Sequence, residues 1–174
     1  MAESTDPSLH PGNLAEGLRW TMRHAAMGVA LITTRDAAGG YHGLAVTTAN
    51  SLSMEPPSMM FAVNRTASAA PALAESGTFC INILGAGHEP ILSLFSRSDT
   101  RAERFSSPLW QEGAMGLPWL KGSLSSIFCV RDAVHEYGSH LVYFGRIVDI
   151  LHAQADAPPA PLLWRQGAVM PLAS

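Results

Sequence analysis

Residues 124–151 read LSSIFCVRDAVHEYGSHLVYFGRIVDIL. Both halves are rich in β-branched and aromatic residues, and Tyr137-Gly138-Ser139 separates them as a turn. The stretch therefore predicts a long antiparallel hairpin, Leu124 to Glu136 against His140 to Leu151. Side chains alternate along a strand, so Leu141, Tyr143 and Ile147 face one way while Val142, Phe144, Val148 and Ile150 face the other. Apolar groups on both faces exclude a sheet with one wet side. Few helices are available to cover the second face. Closure into a barrel, with a second subunit over the remainder, is the economical solution, and we expect a homodimer.

Upstream, strands and turns alternate. Val29 to Thr34 is β-branched, and the turn-rich Asp36 to Gly40 predicts a hairpin into Tyr41. Leu44 to Met54 leads into Pro56-Pro57, which cannot donate ladder hydrogen bonds and must lie in a turn or at an edge. Ser58 to Val63 and Thr78 to Leu84 read as further strands. Asn13 can cap a helix with apolar Leu14, Leu18, Met22 and Ala25 along one packed face, closed by Gly28. A short helix is expected over Ala69 to Glu75 and another near Glu89 to Phe95. A further helix is expected from Thr100, where Thr100 and Glu103 have capping-box spacing. Ala157 to Pro161 reads as a loop, after which Leu162 to Leu172 returns to the barrel as a last strand or arm.

The chain has 174 residues, the size of one domain. We expect residues 1–12 to be a flexible segment and residues 13–174 a single domain. Hydrophobic residues are 47% and charged ones 14%, which favours a packed core over disorder. The net charge is -3 and Lys121 is the only lysine, so no basic stripe exists for a nucleic acid duplex. The start contains Glu3, Asp6 and two prolines rather than a cationic, then apolar, signal. No apolar run approaches the roughly 20 residues of a membrane span. A cytoplasmic location with neither membrane nor nucleic acid as partner is the expectation. Cys80 and Cys129 sit in apolar runs, outside any CxxC pair, and read as buried thiols.

Several chemical motifs fail. Gly85-Ala86-Gly87 lacks a third glycine for a dinucleotide fingerprint. Four residues after His88 stands Leu92 rather than a second histidine, so a zinc helix motif is missing, and no other histidine spacing suggests a metal. No GxSxG elbow is present.

Two polar clusters remain. Thr47-Thr48-Ala49-Asn50-Ser51-Leu52-Ser53 carries five hydroxyl or amide side chains in seven residues. Burying such groups without partners costs about 1–3 kcal/mol each, so the cluster meets solvent as an edge strand, caps a turn, or meets a polar ligand. Asn64-Arg65-Thr66-Ala67-Ser68 precedes the short helix and combines hydroxyls, an arginine and a helix start. That combination suits either a phosphate or an ordinary cap beside a surface arginine.

In order, MGVALITT, HGLAVTTANSLSMEPPSMMFAV, NRTAS, FCINIL, RAERF, GSHLVYFGRI and PLLWRQGAVMPL resemble the flavin reductase family. These are the FMN-binding split-barrel proteins that include the small reductase components of two-component flavin-dependent monooxygenases. The resemblance spans nearly the whole chain. It implies a mainly β fold with flanking helices, a six-stranded antiparallel split barrel, and a dimer with flavin near the subunit interface. It also implies hydride transfer from NADH or NADPH to FMN or FAD, with reduced flavin passing to a separate oxygenase. Flavin contacts are implied for Thr47, Thr48, Ala49, Asn50, Ser51 and Ser53 toward the ring and ribityl chain. Asn64, Arg65, Thr66 and Ser68 are implied at the phosphate. Phe105 resembles the family's aromatic beside the flavin, and a core anchor is its other reading. His140 resembles the histidine of the family's Gly-Asp-His turn, on the nicotinamide side. Here the turn is Gly138-Ser139-His140, without the acid, so the imidazole is a catalytic candidate that can also serve only as a hydrogen-bond donor. Two other tasks remain open on the same fold: a flavoprotein holding FMN tightly for electron transfer or small-molecule reduction, and a non-catalytic flavin- or haem-binding module.

Overall fold

The computed structural model describes residues 13–153 and 158–171. The expected flexible segment at residues 1–12 and the start of the expected loop at Ala157 lie outside these residues. The elements are α1 (Leu14–His24), β1 (Met27–Gly28), β2 (Ala30–Arg35), β3 (Tyr41–Val46), β4 (Asn50–Met54), β5 (Pro57–Asn64), α2 (Ala70–Ser76), β6 (Thr78–Ile83), α3 (Glu89–Phe95), β7 (Trp110–Glu112), β8 (Pro118–Leu120), β9 (Ser125–Tyr137), β10 (His140–His152), β11 (Leu163–Arg165) and β12 (Ala168–Met170).

The central sheet runs β3-β2-β6-β9-β10-β5-β4, every neighbouring pair antiparallel. It has seven strands where six were expected, because the polar stretch after Val46 breaks and resumes as β4 on the far edge. The long hairpin forms as read, with a two-residue turn at Gly138-Ser139 where Gly138 takes a φ of 56°. Two irregularities, at Phe144/Gly145 and Ile147/Asp149, interrupt the alternation. Gly145 lets the strand press on the core, since a Cβ there would lie 2.3 Å from a Phe79 ring carbon.

The main core gathers Ile32, Phe61, Phe79, Ile81, Cys129 and Tyr143. Phe61 stacks on Tyr143 with centroids 5.1 Å apart and meets Phe79 edge-on at 4.9 Å, both favourable ring geometries. Both cysteines are buried and free, as read from their apolar runs. A buried polar hub, Asn82, accepts from Leu120 N at 2.9 Å and the Ser126 hydroxyl at 2.8 Å, and donates to Leu31 O at 3.2 Å. It thereby ties the β7–β8 hairpin, which the sequence pattern does not announce, to the sheet.

Three expectations are corrected. α1 starts on Asn13, whose side chain accepts from Glu16 N, but closes at Ala25 rather than Gly28. It buries no residue in the single chain, and Leu14 is 92% exposed. The helix expected from Thr100 is one 3-10 turn, Arg101–Glu103, because the Thr100 hydroxyl donates back to Leu94 O at 2.8 Å instead of capping forward. Among the described residues the C-terminal arm joins no strand of the central sheet. β11 and β12 form a small sheet with β1.

Candidate functional site

A cleft of about 650 Å³ opens where β3 and β5 approach without forming a ladder. Val29, Leu44, Val46, Ala62 and Val63 give it an apolar lining. Its polar lining comes from Thr47, Thr48, Asn64, Ser68 and His140, and from Ser96, Arg97, Ser98, Arg101 and Arg104 in the segment that follows α3. Three guanidiniums line this cleft, and among the described residues no carboxylate does. On a chain of net charge -3, that is a local reversal of sign that concentrates anions.

Local chemistry explains each position. Thr48 sits just past β3, and its hydroxyl both donates to Ala62 O (3.2 Å) and accepts from Ala62 N (3.0 Å), substituting for a missing strand partner. Asn64 ends β5, and its Oδ1 accepts from Thr66 N at 3.0 Å and from the Thr66 hydroxyl at 2.9 Å, a local turn that carries the chain toward α2. His140 lies opposite Asn64 in the β5–β10 register. The Ser139 hydroxyl is 2.9 Å from its Nδ1. Among the described residues Nε2 has no hydrogen-bond partner.

Arg65 does not line the cleft. Its Nη1 donates to Glu136 at 3.1 Å, its Nη2 donates to Gly138 O, and its backbone N–H donates to Ser139 O at 3.0 Å. It clamps the turn that presents His140. Thr66 likewise turns inward on Asn64. Asn50, Ser51 and Ser53 lie on the edge strand β4, where Asn50 donates to Thr48 O and the Ser53 hydroxyl bonds both the N–H and the carbonyl of Glu55. Asn50 and Ser51 are exposed and Ser53 half-buried. Ala49 packs on the core. Phe105 is held among Tyr41, Phe95 and Trp110, with centroids 4.9–5.7 Å away, and does not line the cleft. The cleft thus brings together Thr47, Thr48, Asn64, Ser68 and His140, and leaves out Ala49, Asn50, Ser51, Ser53, Arg65, Thr66 and Phe105.

Sequence reasoning missed the arginine wall. Its signal is the run SRSDTRAER, three arginines in nine residues. Arg104 is buried and donates only to carbonyls: Leu94 O at 3.1 Å, Arg97 O at 2.9 Å and Gly43 O at 3.3 Å. It also covers the Phe95 ring at 5.2 Å. Burial pushes its pKa down, and the like charge of Arg101 adds to that. Among the described residues no group of three or more His, Cys, Asp or Glu side chains is placed to hold a metal ion.

The flavin reductase like domain model matches residues 22–173. A protein named FMN reductase (NADH) RutF from Pseudomonas syringae pv. syringae is 36% identical over 140 residues, covering 80% of this chain and 78% of that one. FMN reductase (NADH) RutF 1 from Methylorubrum extorquens is 38% identical over 144 residues, covering 82% and 71%. Among solved structures, nitrilotriacetate monooxygenase component B from Mycobacterium thermoresistibile superposes with a TM-score of 0.82 at 28% identity, covering 89% and 84%.

Proposed function

The chain belongs to the flavin reductase-like domain family, and from that premise we propose that its cleft carries NADH- or NADPH-dependent reduction of FMN or FAD. The observation that carries this reading is the division of the cleft's lining into apolar side chains, hydroxyls with one imidazole, and three guanidiniums with no carboxylate among the described residues. A flat ring with an uncharged body and an anionic tail matches that division. The volume also falls in the range of about 300–1,000 Å³ usual for such ligands.

When bound, the flavin supplies the redox chemistry, taking hydride from the nicotinamide. The protein's task is positioning, with the two rings stacked at reacting distances of roughly 3–3.5 Å and water kept out. Val29, Leu44 and Val46 offer the surface on which a ring lies flat. Thr47 and the backbone at the end of β5 offer polar contacts at its edge. Ser68 and the arginine wall receive the anionic tail. His140, held by the Arg65 clamp and its Ser139 contact, presents Nε2 to the nicotinamide side as a hydrogen-bond donor. The tight-turn residues of β4 are not needed for this arrangement.

The curled seven-stranded sheet corresponds in this reading to the family's split barrel. The apolar side chains exposed on the long hairpin, Val134, Val148 and Ile150, and on α1, Leu14 and Leu18, are surfaces that a second subunit covers. Reduced flavin leaves for a separate oxygenase, in the cytoplasm. No helix among the described residues is long and apolar enough to cross a membrane.

The test follows nicotinamide oxidation by its near-ultraviolet absorbance, with NADH or NADPH and with added FMN, FAD, riboflavin or none. Oxidation that requires and saturates with added flavin supports the reading and selects the pair. Folded protein that oxidises neither nucleotide with any flavin refutes it. His140→Ala is expected to slow steady-state turnover, and an unchanged rate would remove that side chain from the mechanism.

A further inference from the structure

The tip of the β9–β10 hairpin carries a large aromatic side chain, Tyr137, that is 84% exposed. Among the described residues no aromatic ring packs on it and nothing bonds its hydroxyl. An exposed tyrosine is ordinary where a hairpin tip is loose, but this tip is held. Arg65 donates to Glu136 at 3.1 Å, to the Gly138 carbonyl, and through its backbone N–H to Ser139 O at 3.0 Å. The strand register then sets where the ring stands. Tyr137 is the direct partner of His140, and His140 is the direct partner of Asn64. Directly opposed residues of antiparallel strands project on one face, so Asn64, His140 and Tyr137 form one row, with about 4.8 Å from each strand to the next. The first two line the cleft. Tyr137 extends the row one strand beyond that lining.

We propose that Tyr137 stacks on the adenine ring of the nicotinamide dinucleotide, just outside the cleft, and so selects the whole dinucleotide over its nicotinamide half. The inference rests on the reading of the cleft as the place where hydride passes to flavin, with the nicotinamide on the His140 side. Hydride transfer needs the nicotinamide flat against the flavin, inside the cleft. A volume of about 650 Å³ suits one such ligand, so with a flavin in place the adenylate half of the dinucleotide lies at the rim or beyond it. There the row offers it one aromatic face, that of Tyr137. The guanidinium and carboxylate of the tip, Arg65 and Glu136, are paired with each other at 3.1 Å, so the tip offers a ring contact rather than a phosphate contact. Tyrosine suits this task because its ring presents a broad apolar face while its hydroxyl stays in water.

The experiment compares the preferred dinucleotide, NADH or NADPH, with reduced nicotinamide mononucleotide, which lacks the adenylate half. Both serve as hydride donors at saturating FMN, which carries no adenine. In the native protein the KM for the mononucleotide is expected to exceed that for the dinucleotide. Tyr137→Ala is expected to shrink the ratio of the two KM values about tenfold, equivalent to about 1.4 kcal/mol and within the range for a base stacked on an aromatic side chain. Tyr137→Phe keeps the ring and should hold the ratio within about twofold of the native value. A ratio unmoved by Tyr137→Ala, or lost equally in Tyr137→Phe, overturns the assignment. So does a rise in the KM for FAD relative to FMN with the donor ratio unmoved, which would give the ring to a flavin adenine. A changed sedimentation of Tyr137→Ala would give it to a subunit contact and likewise overturn the assignment. Equal KM values for the two donors in the native protein overturn this inference alone, whereas folded native protein that oxidises neither dinucleotide with any flavin overturns the underlying reading as well.

Discussion

Replacing Asn82 by alanine tests the hub that joins the β7–β8 hairpin to the sheet. Asn82 is fully buried, and its Oδ1 is the acceptor for Leu120 N–H at 2.9 Å and for the Ser126 hydroxyl at 2.8 Å. Its amide nitrogen donates to Leu31 O and the Thr33 hydroxyl, both at 3.2 Å. Alanine strands two buried donors, each costing about 1–3 kcal/mol, while Thr33 keeps its bond to Pro118 O at 2.6 Å. The expected loss is about 3–5 kcal/mol, a large share of the roughly 5–15 kcal/mol that keeps a domain folded. Urea unfolding followed by tryptophan fluorescence, with circular dichroism as a second probe, reads it directly. Asn82→Asp extends the test. The new carboxyl faces Leu31 O, an acceptor, and lies in the core, so its pKa in the folded state rises above the roughly 3.9 of the unfolded chain. The folded variant then holds its proton more tightly than the unfolded one. Its deficit against the native protein is therefore widest at neutral pH and narrows as pH falls through the raised pKa, where the neutral acid can donate to Leu31 O. A loss below about 1 kcal/mol for Asn82→Ala, against the 1–3 kcal/mol expected per stranded donor, or a deficit for Asn82→Asp independent of pH, would refute the reasoning.

Tyr143 is fully buried and its hydroxyl has no partner among the described residues; Tyr143→Phe should leave stability unchanged or raise it by up to about 1 kcal/mol in the same urea assay. Gly145→Ala forces a Cβ to within 2.3 Å of the Phe79 ring and 3.0 Å of Cys129 Cβ, so about 1–3 kcal/mol of destabilisation is expected, seen as a lowered urea midpoint. Burial pushes the Cys80 thiol well up, and burial, with Asp132 nearby, pushes Cys129 up to about 12. Both should stay protonated through mildly alkaline pH, and labelling by a thiol reagent should track unfolding; rapid stoichiometric labelling of native protein would contradict this. Phe105→Leu should lower stability through the lost ring contacts while preserving the FMN to riboflavin affinity ratio.

Where the signal is local, the amino-acid order determined the outcome. Gly138 and Gly39 mark their turns because few residues accept a positive φ, and the β-branched and aromatic content of residues 140–150 marks a strand. Even the exposed edge reading of Asn50, Ser51 and Ser53 was available, since their partners are within a few residues. Thr100 shows the limit of the same approach. Its spacing to Glu103 suits a cap, but a carbonyl six residues back captured the hydroxyl.

The site depended on tertiary structure for a different reason. A charge acquires its role from its neighbours, and those neighbours were distant in sequence. Arg65 sits in a stretch that suits a phosphate, until the β5–β10 pairing brings Glu136, 71 residues away, onto its guanidinium. Arg104 stands in an ordinary charged run, until Gly43, 61 residues away, and the α3 loop supply the carbonyls that bury it. Sequence alone therefore determined the long hairpin, most strands of the central sheet and the family, but neither the β7–β8 hairpin nor the place of the C-terminal arm. Only the packing of distant segments decided that Arg65 holds a turn while Arg97, Arg101 and Arg104 line the cleft.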